Sequence, residues 1–218
     1  MSPTALTIAV VQSRVDSVQT LLAAKASFLA KNTQGASAIS LAIDRDDTTL
    51  LRILSSATEA NGNTALMAAA ATGDVNTMSR LIDAGASLDN QNDELETALL
   101  LAVRKRHKDA ASLLIAAGAN VALCDLHGNA RLFVASDACL IDPVKLLLSA
   151  NASAFVQNIA GQTPLSAALA KDNLPLVNLM SHLRDGDGDT PLTHAVKNGD
   201  VEIVEMLISA KAPSTATN

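Results

Sequence analysis

The sequence has very few aromatic residues: no tryptophan, no tyrosine and only three phenylalanines among 218 residues. Apolar residues nevertheless make up 49% of the chain, and most of them are alanine, leucine, valine and isoleucine. Small and straight-chain apolar residues favour closely packed helices, whereas strands are enriched in β-branched and aromatic residues. The composition therefore predicts an all-α protein.

Cysteines and long apolar segments are also scarce. Cys124 and Cys139 are the only cysteines, and their spacing matches neither a disulfide framework nor a zinc site. No apolar run approaches the roughly 20 residues that cross a bilayer. The first residues also lack the basic and apolar regions of a signal peptide. We expect a cytoplasmic protein that is not inserted in a membrane.

Positive charge is in the minority, with 16 lysines and arginines against 22 acidic residues and a net charge of −6. Such a balance disfavours non-specific binding to nucleic acid or to anionic lipid. The basic run Arg104–Lys108 fits a phosphate site, a patch for an acidic protein partner or an ordinary solvated turn. Asp93, Glu94 and Glu96 lie shortly before it and supply opposite charge. We predict no nucleic-acid partner.

A short motif, Thr or Ser followed by any residue and then by Leu or Ile, recurs along the chain. It starts at positions 4, 37, 64, 97, 163 and 190, and a degenerate version starts at 130. Successive starts are separated by 33, 27, 33, 33, 33 and 27 residues. This regular spacing indicates a repeat protein in which each repeat is one supersecondary unit.

Each repeat predicts two helices. The Thr or Ser side chain can cap a helix N-terminus, and proline at 164 and 191 suits the first helical turn. Gly73 and Gly199 are placed to end the first helix with a turn. A second helix follows, with apolar residues at helical spacing such as Val201, Val204 and Leu207.

The 33-residue period, the Thr-Pro-Leu starts, the Gly-Asp between helices and the Gly-Ala at the end resemble the ankyrin repeat. The resemblance implies an all-α solenoid of about seven helix–turn–helix units with β-hairpin-like fingers. It implies one domain over residues 1–213 and a disordered tail at 214–218. The approximate units, called repeats one to seven below, are 4–31, 32–58, 59–91, 92–124, 125–157, 158–184 and 185–213.

Several repeats depart from the family pattern. Repeats two and six are six residues shorter than repeats three, four and five, which predicts shortened loops before repeats three and seven. Repeat five starts with Ala130 and Arg131, and it has Cys139 where the family usually has Gly. Leu95 occupies a finger position that is usually Gly. These irregularities lie mostly in the middle of the chain.

The resemblance also implies a function: a monomeric protein–protein interaction module that acts as an adaptor, scaffold or inhibitor. In similar ankyrin proteins, partners dock on the finger tips and on the exposed ends of the first helices, which line a concave face. In repeats three and four the matching positions are Asn61, Asn63, Asp93, Glu94, Glu96, Arg104 and Lys105. In repeats five and six they are Leu126, His127, Asn129, Asp137, Ile159, Gln162 and Lys171.

Leu126 and Ile159 are apolar residues on fingers that are otherwise polar. They either pack on a neighbouring finger or contact a partner, because an exposed apolar side chain is unfavourable in water. With no Trp or Tyr available, we expect recognition to depend on charge, on Leu and Ile, and on shape.

No nucleophile elbow or phosphate-binding loop is present, so we predict neither an enzyme nor a cofactor. The alternative hypothesis is a metal- or redox-responsive regulatory protein. Asp185, Asp187 and Asp189 alternate like the first ligands of a calcium loop, but the match fails at the following positions. Turn formation accounts for the same residues. Cys124 and Cys139 are the candidates for a redox pair.

Overall fold

The computed structural model describes residues 4–209, which contain fourteen α-helices. In chain order they are α1 (Ala5–Val11), α2 (Val15–Ala23), α3 (Ala38–Asp44), α4 (Thr48–Ser56), α5 (Ala65–Thr72), α6 (Val75–Asp83), α7 (Ala98–Arg104), α8 (Lys108–Ala116), α9 (Arg131–Asp137), α10 (Ile141–Ser149), α11 (Pro164–Ala170), α12 (Leu174–Met180), α13 (Pro191–Asn198) and α14 (Val201–Ser209). Every repeat supplies two of them. The longest have nine residues, and no helix within residues 4–209 is long and apolar enough to cross a membrane.

The all-α repeat architecture predicted from the sequence is confirmed. Residues 4–209 form no extended strand, but isolated antiparallel bridges close two fingers, between Thr58 and Thr64 and between Cys124 and Ala130. We define the fingers of repeats two to seven as residues 31–37, 58–64, 91–97, 124–130, 157–163 and 184–190. The predicted tail at 214–218 lies outside the described residues.

The chain divides into two compact units, residues 1–120 and 121–218. In the amino-terminal unit, each first helix packs against the second helix of its own repeat, and α5 also packs against α7. In the carboxyl-terminal unit the same pairing recurs, and α9 packs against α11. The prediction of one domain over residues 1–213 stays a prediction.

Every first helix has an alanine at the same position. These alanines are part of the reason that the composition is rich in small residues. Their exposed fraction is at most 6% throughout, as expected for a small side chain between closely packed helices. In the amino-terminal unit they are Ala9, Ala42, Ala69 and Ala102, and in the carboxyl-terminal unit Ala135, Ala168 and Ala195.

Six of the seven first helices begin with a side-chain cap, as the repeated motif predicts. The capping oxygen accepts a hydrogen bond from the backbone N–H three residues later, at 3.1–3.3 Å. The exception is α9, whose N-cap residue Ala130 has no side-chain acceptor. The irregular start of repeat five therefore deprives α9 of the capping hydrogen bond that the other first helices have.

The turn between the two helices of each repeat contains one residue with a left-handed backbone. These residues are Ser13, Asp46, Gly73, Arg106, Cys139, Asp172 and Gly199, and their spacing repeats the sequence period. Glycine adopts this conformation at little cost, whereas other residues are strained by about 1 kcal/mol or more. Leu95 has the same feature at a different place: its φ is 56°, and the other fingers of repeats two to seven have glycine there.

Repeats two and six differ from the others at their carboxyl ends. Lys25, Gly85, Gly118 and Asn151 provide a left-handed residue after the second helices of repeats one, three, four and five. No equivalent residue follows α4 or α12 in the described chain. At these two junctions the next second helix packs against the preceding first helix, α6 against α3 and α14 against α11. The six missing residues thus change how neighbouring repeats meet.

Candidate protein-interaction surfaces

A side-chain oxygen organises the backbone of most fingers. In repeat four, Asn92 Oδ1 accepts hydrogen bonds from the backbone N–H groups of Glu94 and Glu96, at 3.0 and 2.8 Å. Asp125 does the same in repeat five, with His127 and Asn129 as donors at 2.9 Å. Asn and Asp suit this role because their short side chains reach the backbone two residues further on. The finger conformation is therefore set locally.

In the amino-terminal unit, two hydrogen bonds join the fingers of repeats three and four. The Asn92 side-chain amide donates to Asn63 Oδ1 at 2.8 Å, and the Asp93 backbone N–H donates to the Asn61 carbonyl at 3.2 Å. We call this pair of bonds a finger brace. Asn61 and Asn63, predicted as partner contacts, thus also hold one finger against the next.

The carboxyl-terminal unit contains the same brace 66 residues later, between the fingers of repeats five and six. The Asn158 side-chain amide donates to Asn129 Oδ1 at 2.9 Å, and the Ile159 backbone N–H donates to the His127 carbonyl at 3.1 Å. A Cβ atom on Gly128 would lie 3.1 Å from the Ile159 nitrogen. Glycine at this position therefore permits the close approach of the two fingers.

The prediction that Glu96 lies on the exposed binding surface is wrong. Its exposed fraction is 4%, so it is not available to a partner. Its carboxylate forms an ion pair with Arg104 and accepts a hydrogen bond from the Asn92 amide at 3.2 Å. A buried carboxylate requires such compensation. The sequence could not show this, because polarity alone places a glutamate at the surface.

The ends of the first helices carry the remaining charged candidates. In the amino-terminal unit Lys105 is exposed, and Arg104 is partly exposed while it pairs with Glu96. In the carboxyl-terminal unit the Lys171 ammonium lies 3.5 Å from the Asp137 carboxylate, and both side chains are about half exposed. An exposed pair of this kind contributes little to stability, so both groups are accessible for other interactions.

Leu126 and Ile159 remain exposed at the tips of their fingers. Their exposed fractions are 52% and 81%, although Ile159 touches the backbone of the finger before it. Gln162, also predicted as a contact, is exposed while its backbone N–H donates to Asn158 Oδ1 at 2.8 Å. Finger-to-finger packing therefore does not remove the two apolar side chains from solvent.

Repeat seven contains a polar cluster around its finger. Ligand atoms of Asp185, Asp189 and His194 lie within 4.8 Å of one another. Asp187, expected to join the other two aspartates, instead donates its backbone N–H to Asp185 Oδ1. His194 Nε2 lies 2.6 Å from Asp185 Oδ2, and this hydrogen bond lowers the pKa of Asp185 below its ordinary value of 3.8. Both carboxylate oxygens of Asp185 are thus engaged in hydrogen bonds within repeat seven.

His194 was missed by sequence reasoning, because nine residues separate it from Asp185 and no ligand motif spans that interval. Its ring stacks at a tilt on Phe155, with centroids 5.0 Å apart. Lys197 also contacts the cluster, because its ammonium group pairs with Asp189. That hydrogen bond raises the pKa of Lys197. A cation would have to compete with an ammonium group for Asp189.

The two cysteines are free thiols, Cys124 half-buried and Cys139 exposed. Cys139 occupies the left-handed turn position of repeat five, with a φ of 57°. The hypothesis that Cys124 and Cys139 form a redox pair stays a prediction.

Comparison with known proteins agrees with this architecture. The sequence model of ankyrin repeats, which describes three copies, matches residues 39–125 and 132–218. The crystal structure of the ankyrin repeat domain of Bcl-3, described as a unique member of the IkappaB protein family, superposes with a TM-score of 0.62 at 25% identity. The superposition covers 94% of this chain and 98% of that domain.

Curated relatives share the repeats within longer proteins. The B-cell lymphoma 3 protein homolog of Mus musculus is 31% identical over 77% of this chain, and the match spans 40% of that protein. An intracellular phospholipase A2 of Caenorhabditis elegans is 32% identical over 56% of the chain, which is 12% of that enzyme. The Notch protein of Drosophila melanogaster is 32% identical over 60% of the chain and 5% of its own length.

The chain therefore spans less than half the length of these curated relatives. Ankyrin repeats are protein–protein interaction modules, and the fold is generally non-catalytic. The periodic caps, turns and fingers, the matching family model and the superposed domain lead to one assignment. This chain belongs to the ankyrin repeat family.

Proposed function

We propose that this protein is an adaptor, scaffold or inhibitor that binds another protein on a concave face made of its fingers and first-helix ends. The observation that carries the proposal is the pair of exposed apolar side chains, Leu126 and Ile159, on braced fingers. Such a surface requires no catalysis and no cofactor. A monomer in the cytoplasm that binds one protein partner is the simplest form of this function.

The brace supports the proposal because it prepares the finger tips for binding. Hydrogen bonds from Asn158 and from the Ile159 backbone hold two neighbouring fingers together before any partner arrives. A surface that is already ordered loses less conformational entropy on association. The apolar side chain of Ile159 can then contribute its desolvation energy with little ordering cost.

Charges on the amino-terminal unit supply a second element of recognition. Asp93 and Glu94 are exposed on the finger of repeat four, and Lys105 is exposed at the end of α7. Exposed charges at an interface act mainly on the association rate and on specificity. We therefore assign affinity chiefly to Leu126 and Ile159, and partner selection to the charged residues.

The test is a quantitative affinity capture from the native organism, followed by calorimetry with the purified partner. The double variant Leu126→Ser/Ile159→Ser is expected to weaken binding by about 2 kcal/mol or more, because two apolar contacts are lost. Val201→Ser is the matched control, since Val201 is 66% exposed but lies at the start of a second helix. Equal affinities for the wild type and the double variant would refute the finger-tip assignment.

The metal- or redox-responsive alternative has one observation in its favour, the proximity of Asp185, Asp189 and His194. Titration of the protein with Ca²⁺ and with Zn²⁺ by calorimetry tests it directly. A thiol count before and after mild oxidation tests Cys124 and Cys139. Binding heat that disappears in His194→Gln, or loss of both thiols, would favour the alternative over the adaptor function.

A further inference from the structure

A groove separates the second helices of repeats six and seven, at the second shortened junction. The loop after α12 lacks the six residues found after α10, and α14 packs against α11. The groove has a volume of about 450 Å³ and is open to solvent along α12 and α14. It lies on the second helices and is distinct from the fingers to which the proposed function is assigned.

The floor of the groove is apolar. Leu169 and Val177 form its buried part, with exposed fractions of 9% and 1%. Met206 is partly buried, and Leu174 stands at the edge with 51% of its surface exposed. Methionine adapts its shape to different contacts, so this floor can accept an inserted apolar side chain.

The rim of the groove is acidic. Asp172, Glu202 and Glu205 line it, and among residues 4–209 no lysine or arginine does. All three residues are exposed, and none of their carboxylates has an ion pair with a basic side chain of residues 4–209. The left-handed backbone of Asp172, with a φ of 50°, fixes that residue in the tight turn beside the groove. Three negative charges therefore surround an apolar floor.

The first shortened junction, between α4 and α6, has a different character. The residue there that corresponds to Asp172 is Asp46, and its carboxylate forms an ion pair with Arg80 of α6. The residues that correspond to Glu202 and Glu205 are uncharged, Asn76 and Ser79. The combination of an apolar floor with an acidic rim thus belongs to the junction of repeats six and seven and does not follow from loop shortening alone.

We propose that this groove is a second docking site, which accepts a basic amphipathic segment of a partner protein. One or two aliphatic or aromatic side chains of the segment insert between Leu174 and Met206. Flanking lysines or arginines pair with Asp172, Glu202 and Glu205. Charge complementarity identifies the occupant as basic, and the helical walls suit an amphipathic helix laid along the groove. The net charge of −6 also favours the approach of a cationic segment.

The probe is a fluorescent helical peptide of about 15 residues built from leucine and lysine, with a leucine–glutamate peptide as its charge-reversed control. Anisotropy titrations use the full chain. We expect the leucine–lysine peptide alone to bind. The double variant Glu202→Gln/Glu205→Gln is expected to weaken binding about tenfold, and Leu174→Ser about fivefold. Methyl resonances of Val177 and Met206 are expected to shift on binding.

Ile141→Ser is the matched control for Leu174→Ser. Ile141 is the first residue of α10, as Leu174 is of α12, and it is 36% exposed outside the groove. Circular dichroism verifies that each variant keeps its helix content. Equal peptide affinity in the wild type and both groove variants would overturn the proposal. So would a wild-type dimer that Leu174→Ser dissociates, because the occupant would then be a second copy of this chain.

Discussion

Replacing Ala130 by threonine is expected to stabilise the protein, because α9 is the one first helix without a side-chain cap. In the other repeats the hydroxyl accepts the backbone N–H three residues later. The corresponding donor in repeat five is the Phe133 N–H. Ala130 is 7% exposed, and the threonines at the same position of repeats three, four and seven are 0–4% exposed, so the fold accommodates this side chain.

The magnitude follows from the value of one capping interaction. A Thr cap in place of Ala contributes about 1 kcal/mol. For a chain of this length, that raises the melting temperature by roughly 2–4 °C. Ala130→Val is the matched control, because valine has nearly the same shape as threonine and no hydroxyl acceptor. The difference between the two variants isolates the hydrogen bond from any effect of added volume.

Circular dichroism during urea unfolding is the appropriate assay, since the chain has no Trp or Tyr for fluorescence. Hydrogen exchange at the Phe133 amide provides a local measurement that does not depend on how cooperatively the repeats unfold. We expect slower exchange in Ala130→Thr and unchanged or faster exchange in Ala130→Val. If both variants shift the unfolding midpoint equally, the capping hydrogen bond is not the cause of the gain in stability.

Three further substitutions test other features of the structure. Asn92→Asp keeps the acceptor that shapes the finger but loses the amide that donates to Asn63 and to the buried Glu96 carboxylate, and urea unfolding is expected to show a loss of about 2 kcal/mol or more. Gly73→Ala places a Cβ 2.5 Å from the His107 ring at a φ of 72°, so thermal unfolding should show a loss of about 2 kcal/mol or more. The hydrogen bond with His194 lowers the pKa of Asp185 in the folded protein. It therefore stabilises the fold at pH values above 3.8, the ordinary pKa of this group. This stability is lost as the pH falls through the lower folded pKa. Asp185→Asn keeps the turn acceptor, and acid titration of its stability should therefore be shallower than that of the wild type.

Sequence reasoning located the helices because their signals are local. Each capping Thr or Ser lies within three residues of its donor, and the left-handed turn residues recur with the same period as the motif. Leu95 was recognised as unusual from its position alone, and its φ of 56° agrees. Such features depend on neighbours along the chain, so spacing is sufficient to find them.

The sequence predicted the binding surface less well than it predicted the helices. Glu96 was expected to face a partner, but it is buried and paired with Arg104. Asn92 and Asn158 were not singled out, although they donate the side-chain hydrogen bonds of the two finger braces. The 66-residue interval between them was a usable signal. The partner groups at Asn63 and Asn129, however, become visible only when neighbouring fingers are placed side by side.

The sequence by itself determined the family, the number of repeats and the places where loops are shortened. The tertiary structure decided which polar side chains are buried or paired within the repeats and which stay exposed to a partner. It also revealed the acidic groove, whose floor and rim come from α11, α12 and α14 together. The physical reason is range: caps and turns are interactions between near neighbours in the chain, whereas burial, ion pairing and grooves depend on how separate helices meet.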